Sequence, residues 1–401
     1  MIGILHRENT GRHRPYVMAT LLFLTALAFL VALQPPASAQ EKRVSIRVVV
    51  PSSTPKDASV FITGNSPVIG SWDPGKTPMT KESDSIWTYA ASVPANSLLE
   101  YKITRGSWDT EALYVDGTIP QNLTLRVASD TLITLRPVTW NDISPARRLR
   151  ASKSIVGTLK YHRGLRGEGL KYDRDVIAWL PPSYEKEPQK RYPVLYMHDG
   201  QNVFDASTSF IGYEWRADEV ADSLIKAAAI EEIIIVGIYN TPDRMAEYDN
   251  APLGRNYARF VVEQLKPMID STYRTKPSRE NTAVIGSSMG GLMSLLFVWW
   301  YPNVFSKAGC ISTSIWRGNR DGILDEIRNY NGPKKDLRIY VDVGGLEDQL
   351  VSGFHALASL LEGKGYQQGK DLECFLDKVA VHNEIAWAHR LWHPLKFMFG
   401  K

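Results

Sequence analysis

The strongest constraint on the fold lies after residue 154, where short apolar runs alternate with longer amphipathic stretches. Residues 193–197 and 233–236 are apolar and strand-like. Amphipathic stretches with apolar residues at spacings of three and four, which predict helices, lie at 257–269, 350–361 and 385–399. Alternating strands and helices form mainly parallel sheets that helices cover. We therefore predict an α/β domain over residues 154–401.

The chain before this domain has a different texture. Short apolar or alternating runs at 44–48, 60–62 and 99–103 are separated by clusters of Pro, Gly, Asn and Ser. Strands of this length with frequent turn signals are typical of a small antiparallel sandwich or barrel. We predict a β-sandwich domain over residues 40–141 and a linker over 142–153, which is rich in arginine.

The first 39 residues carry a secretory pattern. Arg7, Arg12 and Arg14 precede an apolar run over 18–33, and small residues over 37–39 follow it. The run is about 16 residues, shorter than the roughly 20 that span a bilayer. We therefore predict a signal peptide over 1–39 and a mature chain without a membrane span, exported to a periplasm or to the medium.

Charge and cysteine content narrow the function. The 401 residues carry a net charge of +4, of which about half lies in the signal segment, so nothing indicates a nucleic-acid partner. The two cysteines, Cys310 and Cys374, are too few for a disulfide scaffold or a zinc site. An ordinary composition of 44% hydrophobic and 22% charged residues indicates a globular enzyme or binding protein.

The chemistry is concentrated at Gly286-Ser287-Ser288-Met289-Gly290, which fits the pattern G-x-S-x-G. The motif follows the apolar run 283–285 and opens the helical run 292–296. In this strand–turn–helix context, small residues permit a tight elbow that exposes the central hydroxyl. We predict Ser288 as a nucleophile; the alternative is a glycine-rich turn without catalytic function.

A serine hydroxyl becomes a nucleophile only when a neighbouring base takes its proton. In proteins that carry such an elbow between a strand and a helix, the catalytic residues follow the chain order serine, acid, histidine. His382 follows the apolar run 379–381 at a predicted strand end, where catalytic groups gather. His355 lies in a helical stretch, and His389 and His393 lie near the C-terminus. We predict His382 as the base and no metal site.

The acid and the oxyanion donors complete the predicted site. Glu347 and Asp348 lie in the loop after the strand-like run 339–343, and either carboxylate can orient an imidazole. We prefer Glu347 and keep Asp348 open. For the oxyanion, the backbone N–H of Met289 and that of Gln201, in the loop after the run ending at residue 197, are the predicted donors.

Residues 154–400 resemble the esterase D family of α/β-hydrolases, which includes enterochelin, feruloyl and acetylxylan esterases. The resemblance rests on residues 196–202, 212–215, 240–248, 265–270, 286–291 and 382–387. It implies an α/β-hydrolase fold and a serine hydrolase with Ser288 as nucleophile and His382 as base. It also implies Glu347 as acid, three residues after Gly344; other branches use Asp, which keeps Asp348 open.

Residues 44–140 are similar to the family 20 starch-binding carbohydrate modules. The resemblance rests on residues 63–74, 86–87 and 100–102, together with Trp108 and Asn122. It implies that Trp87 and Trp108 stack on glucose rings, with Lys102 and Asn122 as polar neighbours; flat aromatic faces suit the C–H surfaces of sugars. The alternative is that both tryptophans pack in the core of a spacer domain.

The leading hypothesis is an exported serine ester hydrolase that acts through an acyl-enzyme on carbohydrate-linked feruloyl or acetyl esters. It needs neither a metal nor an organic cofactor. One alternative is a periplasmic siderophore esterase of the enterochelin type. The other is a glycan-binding protein whose hydrolase domain is inert. The oligomeric state stays open.

Overall fold

A computed structural model of the chain describes residues 40–115, 122–144, 155–315 and 322–401. The predicted signal peptide and most of the predicted linker lie outside the described residues. The strands and helices named below therefore belong to these four ranges.

The N-terminal domain consists of β-strands in two four-stranded sheets and one short pair. The strands are β1 Glu41–Val49, β2 Phe61–Gly64, β3 Thr77–Pro78, β4 Thr80–Ser83, β5 Ile86–Pro94, β6 Leu98–Thr104, β7 Ala112–Leu113, β8 Leu123–Arg126, β9 Thr131–Leu135 and β10 Thr139–Trp140. The sheets have the orders β4-β5-β1-β9 and β3-β2-β6-β8, and β7 pairs with β10. The prediction of an all-β domain is confirmed.

One pairing differs from the predicted antiparallel arrangement. Strand β9 runs parallel to β1, with Val44 opposite Thr131. The reason is topological, because β9 joins the sheet on the free side of the first strand and runs in its direction. The remaining pairs of both four-stranded sheets are antiparallel.

Alternation along the strands builds the core of this domain. On β1, Val44, Ile46 and Val48 are at most 3% exposed, and they lie on one face because strand side chains alternate. On β6, Leu99, Tyr101 and Ile103 join the same core. The intervening residues of β6 therefore lie on the other face of the second sheet.

The C-terminal domain is built on one eight-stranded sheet. Its strands are β11 Thr158–Leu165, β12 Arg174–Leu180, β13 Val194–His198, β14 Ile234–Ile238, β15 Thr282–Ser287, β16 Lys307–Ile311, β17 Arg338–Gly344 and β18 Leu372–Asp377. The order is β11-β12-β14-β13-β15-β16-β17-β18. Only the β11–β12 and β12–β14 pairs are antiparallel, so the prediction of a mainly parallel sheet in an α/β-hydrolase fold is confirmed.

Helices cover both faces of this sheet, and two separate hydrophobic cores lie beneath them. The α-helices are α1 Ala217–Lys226, α2 Arg244–Glu247, α3 Pro252–Arg259, α4 Lys266–Thr272, α5 Met289–Trp300, α6 Ile323–Asn329, α7 Asp348–Gly363, α8 Glu384–Arg390 and α9 Trp392–Phe399. Short 3-10 helices include Pro67–Trp72, Trp108–Thr110 and Gly200–Asn202. In the four described ranges, none of the helices is both long and apolar enough to cross a membrane.

Two predicted helices are interrupted, and prolines explain both interruptions. The stretch 257–269 contains a π-helix, Phe260–Leu265, where the Lys266 N–H bonds the Val261 carbonyl; Pro267 follows and has no N–H to continue the α-helical pattern. The stretch 385–399 is two helices, α8 and α9. Pro394 cannot donate to the carbonyl four residues earlier, so the helix breaks between them.

The run 379–381 is not the strand that we predicted. The chain turns after β18, where the Ala380 N–H donates to the Asp377 carbonyl at 3.2 Å. The Ala380 carbonyl then accepts from the N–H of Leu346, in the loop after β17, at 3.1 Å. His382 therefore lies in the loop between β18 and α8, beside the loop after β17.

The carboxyl ends of the parallel strands meet at one edge of the sheet, and the N-terminal domain lies against that edge. The Asn141 side-chain amide donates to the carbonyl of Phe210, in the loop before α1, at 2.6 Å. In open α/β sheets, ligands bind outside these strand ends. This edge is therefore where a functional site is expected.

Candidate active site

Ser288 occupies a strained elbow between β15 and α5. Its backbone has φ 57° and ψ −120°, a conformation that a residue other than glycine rarely adopts. A Cβ on Gly286 would lie 2.7 Å from the backbone of Gly290, and one on Gly291 would lie 2.7 Å from the Thr313 hydroxyl. The close packing of the turn thus requires glycine at Gly286 of the motif and at Gly291 directly after it.

The Ser288 hydroxyl lies at the surface of the sheet edge rather than in the interior. Its oxygen is 3.2 Å from the hydroxyl of Ser314. The backbone N–H of Ser288 donates to the Ile311 carbonyl at 2.9 Å, and the Ser314 N–H donates to the Ser288 carbonyl at 3.1 Å. These bonds to the last residue of β16 and to the loop after it hold the elbow in place.

A histidine–carboxylate pair lies beside the elbow. Nδ1 of His382 is 2.9 Å from Oε2 of Glu347. The other carboxylate oxygen, Oε1, accepts hydrogen bonds from the Ser312 hydroxyl at 2.7 Å and from the Gly344 N–H at 3.0 Å. The Glu347 side chain is 2% exposed, whereas that of His382 is 31% exposed. The imidazole is thus held at Nδ1 by a buried carboxylate, while the ring itself is partly accessible.

The surroundings of Glu347 favour its charged form. Burial alone would raise the pKa of this carboxyl, but the charge of His382 and the hydrogen bonds from His382 and Ser312 together hold it below its ordinary value. Asp348, the other predicted acid, is the first residue of α7. The carboxylate that the structure brings to the imidazole is therefore that of Glu347.

A buried polar network supports this carboxylate. The Ser312 hydroxyl, which donates to Glu347, accepts hydrogen bonds from the Trp387 indole at 3.0 Å and from the Arg390 guanidinium at 2.8 Å. Arg390 also pairs with Asp342 at 3.1 Å. Three groups, the His382 imidazole, the Ser312 hydroxyl and the Gly344 N–H, thus hold the Glu347 carboxylate in place. Two side chains of α8 in turn hold the Ser312 hydroxyl.

One cavity of about 300 Å³ contains the elbow and the imidazole. Its wall includes Ser288, Met289, Glu347 and His382. The lining residues of the C-terminal domain also include Asp199, Asn202, Phe210, Ile211, Arg244, Met245, Ser287, Ser314, Leu346, Gln349, Leu350, Val381, Asn383, Glu384 and Trp387. Those of the N-terminal domain are Trp72, Glu100, Lys102, Trp108, Glu111, Asn122 and Thr124.

The two predicted oxyanion donors have different positions relative to the cavity. Met289 lines it as the first residue of α5, where backbone N–H groups and the helix dipole favour negative charge. Gln201 lies in the 3-10 helix after β13, between the lining residues Asp199 and Asn202, but is not itself among the described lining residues. A bidentate ion pair of Asp199 with Arg244, at 2.7 Å for both contacts, holds this loop.

The predicted carbohydrate-binding residues divide into two groups. Lys102, Trp108 and Asn122 line the cavity. Trp87 is 8% exposed and belongs to the core of the β-domain. The structure therefore does not bring Trp87 and Trp108 to one surface; the ring beside Trp108 is that of Trp72, with centroids 6.5 Å apart and planes tilted by 36°.

Sequence reasoning assigned no site role to several lining residues, among them Trp72, Glu100, Glu111 and Glu384. Glu384 opens α8 directly after His382 and Asn383, and burial raises its pKa to about 8. Glu100 lies two residues before Lys102 on β6, which places both on one face of the sheet. That spacing was a usable signal for Glu100. No local pattern pointed to Glu111, whose neighbours are distant in sequence.

Comparison with known families and proteins agrees with this geometry. The model of the Esterase family matches residues 167–398, more than half of the chain. The chain belongs to the Esterase family. It is a carboxylic ester hydrolase, as predicted. The Starch binding domain model matches residues 43–127, which confirms the predicted resemblance of the N-terminal domain.

Individual relatives and one solved structure are similar to part or most of the chain. The uncharacterized protein YbbA of Bacillus subtilis (strain 168) is 25% identical over 252 residues, which cover 57% of this chain and 94% of that protein. An endo-1,4-beta-xylanase/feruloyl esterase of Xylanibacter ruminicola is 26% identical over 229 residues, 55% of this chain and 29% of that protein. The enterobactin esterase of Shigella flexneri superposes with a TM-score of 0.53 at 16% identity, over 85% of this chain and 87% of that one. This last likeness concerns the fold.

Proposed function

We propose that this esterase is a serine hydrolase that acts through an acyl-enzyme on acyl esters of carbohydrates. One observation carries the proposal: the hydroxyl on the strained elbow at Ser288 and the imidazole of the His382–Glu347 pair line the same cavity. A hydroxyl becomes a useful nucleophile when an adjacent base takes its proton and a third group orients that base.

The proposed reaction has two halves. In the first, the Ser288 oxygen attacks the ester carbonyl while Nε2 of His382 takes the hydroxyl proton; the oxyanion is held by the N–H of Met289 and that of Gln201. The C–O bond to the alcohol then breaks, and His382 returns the proton to the leaving alcohol. In the second half, water attacks the acyl-enzyme with His382 as base, and the free acid leaves.

Glu347 supports both halves through the other imidazole nitrogen. By accepting the Nδ1–H, it fixes the tautomer that leaves Nε2 free to take a proton, and it stabilises the imidazolium that forms. The network behind it, from Ser312 to Arg390, keeps the carboxylate charged and immobile. Positioning of this kind accounts for much of the rate enhancement in acyl transfer.

The cavity electrostatics favour a neutral carbohydrate ester over an anionic siderophore. Among the described lining residues, Glu100, Glu111, Asp199 and Glu347 are acidic, whereas burial raises the pKa of Glu384 to about 8 and so favours its neutral form near pH 7. The lysine and the arginine among them are both ion-paired, Lys102 with Glu111 and Arg244 with Asp199, and His382 pairs with Glu347. A polyanionic iron chelate would meet an excess of carboxylates. The match of the N-terminal domain to the Starch binding domain and the feruloyl esterase named among the relatives support the sugar ester.

The proposal includes export, for which the basic, apolar and small-residue pattern of residues 1–39 is the support. Expression of the full chain with fractionation of the culture tests it. We expect a mature protein that begins near Gln40 in the periplasm or medium, identified by N-terminal sequencing. A full-length chain that stays in the cytoplasm contradicts this part.

The activity is tested with a panel of esters that shares one mature protein preparation. The panel holds p-nitrophenyl acetate, methyl ferulate, feruloylated and acetylated oligosaccharides, and ferric enterobactin. We expect hydrolysis of the carbohydrate esters, loss of activity by at least about 10³-fold in Ser288→Ala, and labelling of the wild type but not of Ser288→Ala by a fluorophosphonate.

A serine on a distant surface supplies the matched control. Ser271 is exposed on α4, and Ser271→Ala is expected to keep both activity and labelling. If the wild type prefers ferric enterobactin to every glycan ester, the proposed carbohydrate-ester substrate is wrong and the siderophore ester takes its place. If the fluorophosphonate does not label the wild type and no ester is hydrolysed, the serine hydrolase proposal is wrong and the glycan-binding alternative replaces it.

A further inference from the structure

The second sheet of the N-terminal domain forms one wall of the catalytic cavity. On β6, Glu100 and Lys102 alternate with the core residues and face the cavity. Thr124 of β8 lies opposite Glu100 in the register of the two strands and also lines the cavity. These three residues on the outer face of the sheet thus line the cavity that contains the Ser288 elbow.

Two indole rings stand beside this polar face. Trp108 lies in a short 3-10 helix that Ser107 and Thr110 cap reciprocally. Trp72 has a positive φ of 63° at the end of another 3-10 helix. Their rings are tilted by 36° with centroids 6.5 Å apart, so they form an angled aromatic wall.

The polar side chains of the wall are held by one another. Lys102 pairs with Glu111 at 2.6 Å, and the Asn122 amide donates to the Glu100 carboxylate at 3.2 Å. Electrostatic coupling links this wall to the catalytic groups, because the charges of His382 and Glu347 both act on the Glu100 carboxyl. The wall and the catalytic groups therefore belong to one site.

The two domains supply chemically different lining. Among the described lining residues, the N-terminal domain contributes two tryptophans and five polar side chains, but no aliphatic one. The C-terminal domain contributes all the aliphatic and phenyl groups, including Phe210, Ile211, Met245 and Leu350, together with the indole of Trp387 and the polar groups around the elbow. A sugar ring presents C–H faces and hydroxyls, which suit indoles and paired polar groups, whereas an acyl chain or aromatic acid suits an apolar wall.

We propose that the N-terminal domain forms the subsite for the alcohol portion of the ester, a sugar, while the acyl portion lies against the C-terminal wall. The inference rests on the proposed function and deepens it. It assigns the module a place inside the catalytic cleft, where Trp72 and Trp108 carry the leaving sugar while Ser288 attacks the carbonyl. The starch-binding-like surface then determines substrate specificity instead of tethering the enzyme to a distant polymer.

The test compares two esters with the same acyl group and different alcohols. The probes are methyl ferulate and a feruloylated arabinoxylo-oligosaccharide, and the measured quantity is kcat/KM for each. In Trp108→Ala we expect the loss for the sugar ester to exceed the loss for the methyl ester by about tenfold or more, the order expected for one stacked ring. Trp392→Ala is the matched control, because Trp392 is 41% exposed on α9; it should not change the ratio.

A second readout does not depend on the chemical step. The free oligosaccharide should inhibit methyl ferulate hydrolysis competitively in the wild type and much more weakly in Trp108→Ala. Asn122→Ala removes a polar contact without removing a ring, so it should shift the same ratio in the same direction if Trp108→Ala does not fold. Equal losses on both esters, or an unchanged ratio in both variants, would overturn the subsite.

The outcomes separate this inference from the proposed function. If the wild type cleaves methyl ferulate and Ser288→Ala does not, the serine mechanism stands whatever the ratio shows. If the wild type then ignores sugar esters, the subsite is overturned alone. If no ester is cleaved, the proposed function itself fails.

Discussion

The identity of the acid can be decided by one substitution, Glu347→Gln, whose effect follows from the hydrogen bonds around the carboxylate. Oε1 receives two donors, the Ser312 hydroxyl and the Gly344 N–H. In the amide, the oxygen must face these two donors, since the NH₂ group cannot accept from them. The NH₂ group then faces Nδ1 of His382, which becomes an acceptor. The ring proton moves to Nε2, the nitrogen that must take the proton of Ser288.

The expected cost is that of the wrong tautomer together with the loss of a carboxylate beside the imidazolium. A substitution of this kind in a catalytic triad lowers kcat by about 10⁴-fold, or about 5.5 kcal/mol. KM should change little, because the amide has the size of the carboxylate and Glu347 is almost fully buried. The assay is kcat and KM for p-nitrophenyl acetate, with thermal unfolding as the check that the variant is folded.

Asp348→Asn supplies the matched control, because it makes the same change of charge one residue away, at the start of α7. We expect it to lower kcat by less than tenfold. A folded Glu347→Gln enzyme with kcat within tenfold of the wild type would refute the reasoning about the tautomer. Loss of activity in Asp348→Asn instead would assign the acid to Asp348.

Three further predictions concern stability and its pH dependence. Gly286→Ala should lower the free energy of unfolding by about 1–3 kcal/mol, because the added Cβ would lie 2.7 Å from backbone atoms. Gly363→Ala is the control and should not lower it, because a Cβ there has no neighbour within 4 Å. Equal melting temperatures for the two variants would contradict the packing argument. Asp199→Asn leaves the Arg244 guanidinium without its partner and should cost about 3–5 kcal/mol in urea unfolding, whereas a loss below about 1 kcal/mol would show that the pair is solvated. Burial raises the pKa of Glu384 from 4.5 to about 8, so the folded state binds the carboxyl proton more tightly than the unfolded state does. Stability should therefore fall as the pH rises from about 4.5 to about 8. Glu384→Gln should remove this contribution to the fall, as measured by urea unfolding at several pH values.

The local parts of the site could be predicted from the sequence because each depends on a short stretch of chain. The elbow at Ser288 needs small residues within two positions on either side, and these can be read directly from the amino-acid sequence. Strand, loop and helix order placed Glu347 and His382 after it in the chain. The run 379–381 was misassigned as a strand because apolar character alone does not distinguish an extended segment from a buried turn. The loop position of His382 survived that error, since either reading puts it beyond a strand end.

The shared cavity could not be predicted, because it depends on how two domains pack. A family resemblance places Trp87 and Trp108 on one sugar-binding surface, yet Trp87 packs in the core and Trp108 faces the elbow beside Trp72. Which face of a strand is buried follows from period-two alternation; which neighbour covers the other face does not. On β6, alternation assigns Leu99 and Tyr101 to the core and leaves the opposite face unassigned.

That unassigned face is where the molecule differs most from a hydrolase with a detached binding domain. If the N-terminal domain were separated from the hydrolase domain by a linker, Glu100 and Lys102 would be solvated charges. Their identity would then have little effect on substrate binding or catalysis. Against the Ser288 elbow they are part of a partly closed cavity, where a polar group affects binding and the ionisation of its neighbours. A substitution on this strand should therefore alter turnover of a sugar ester although it lies outside the hydrolase fold.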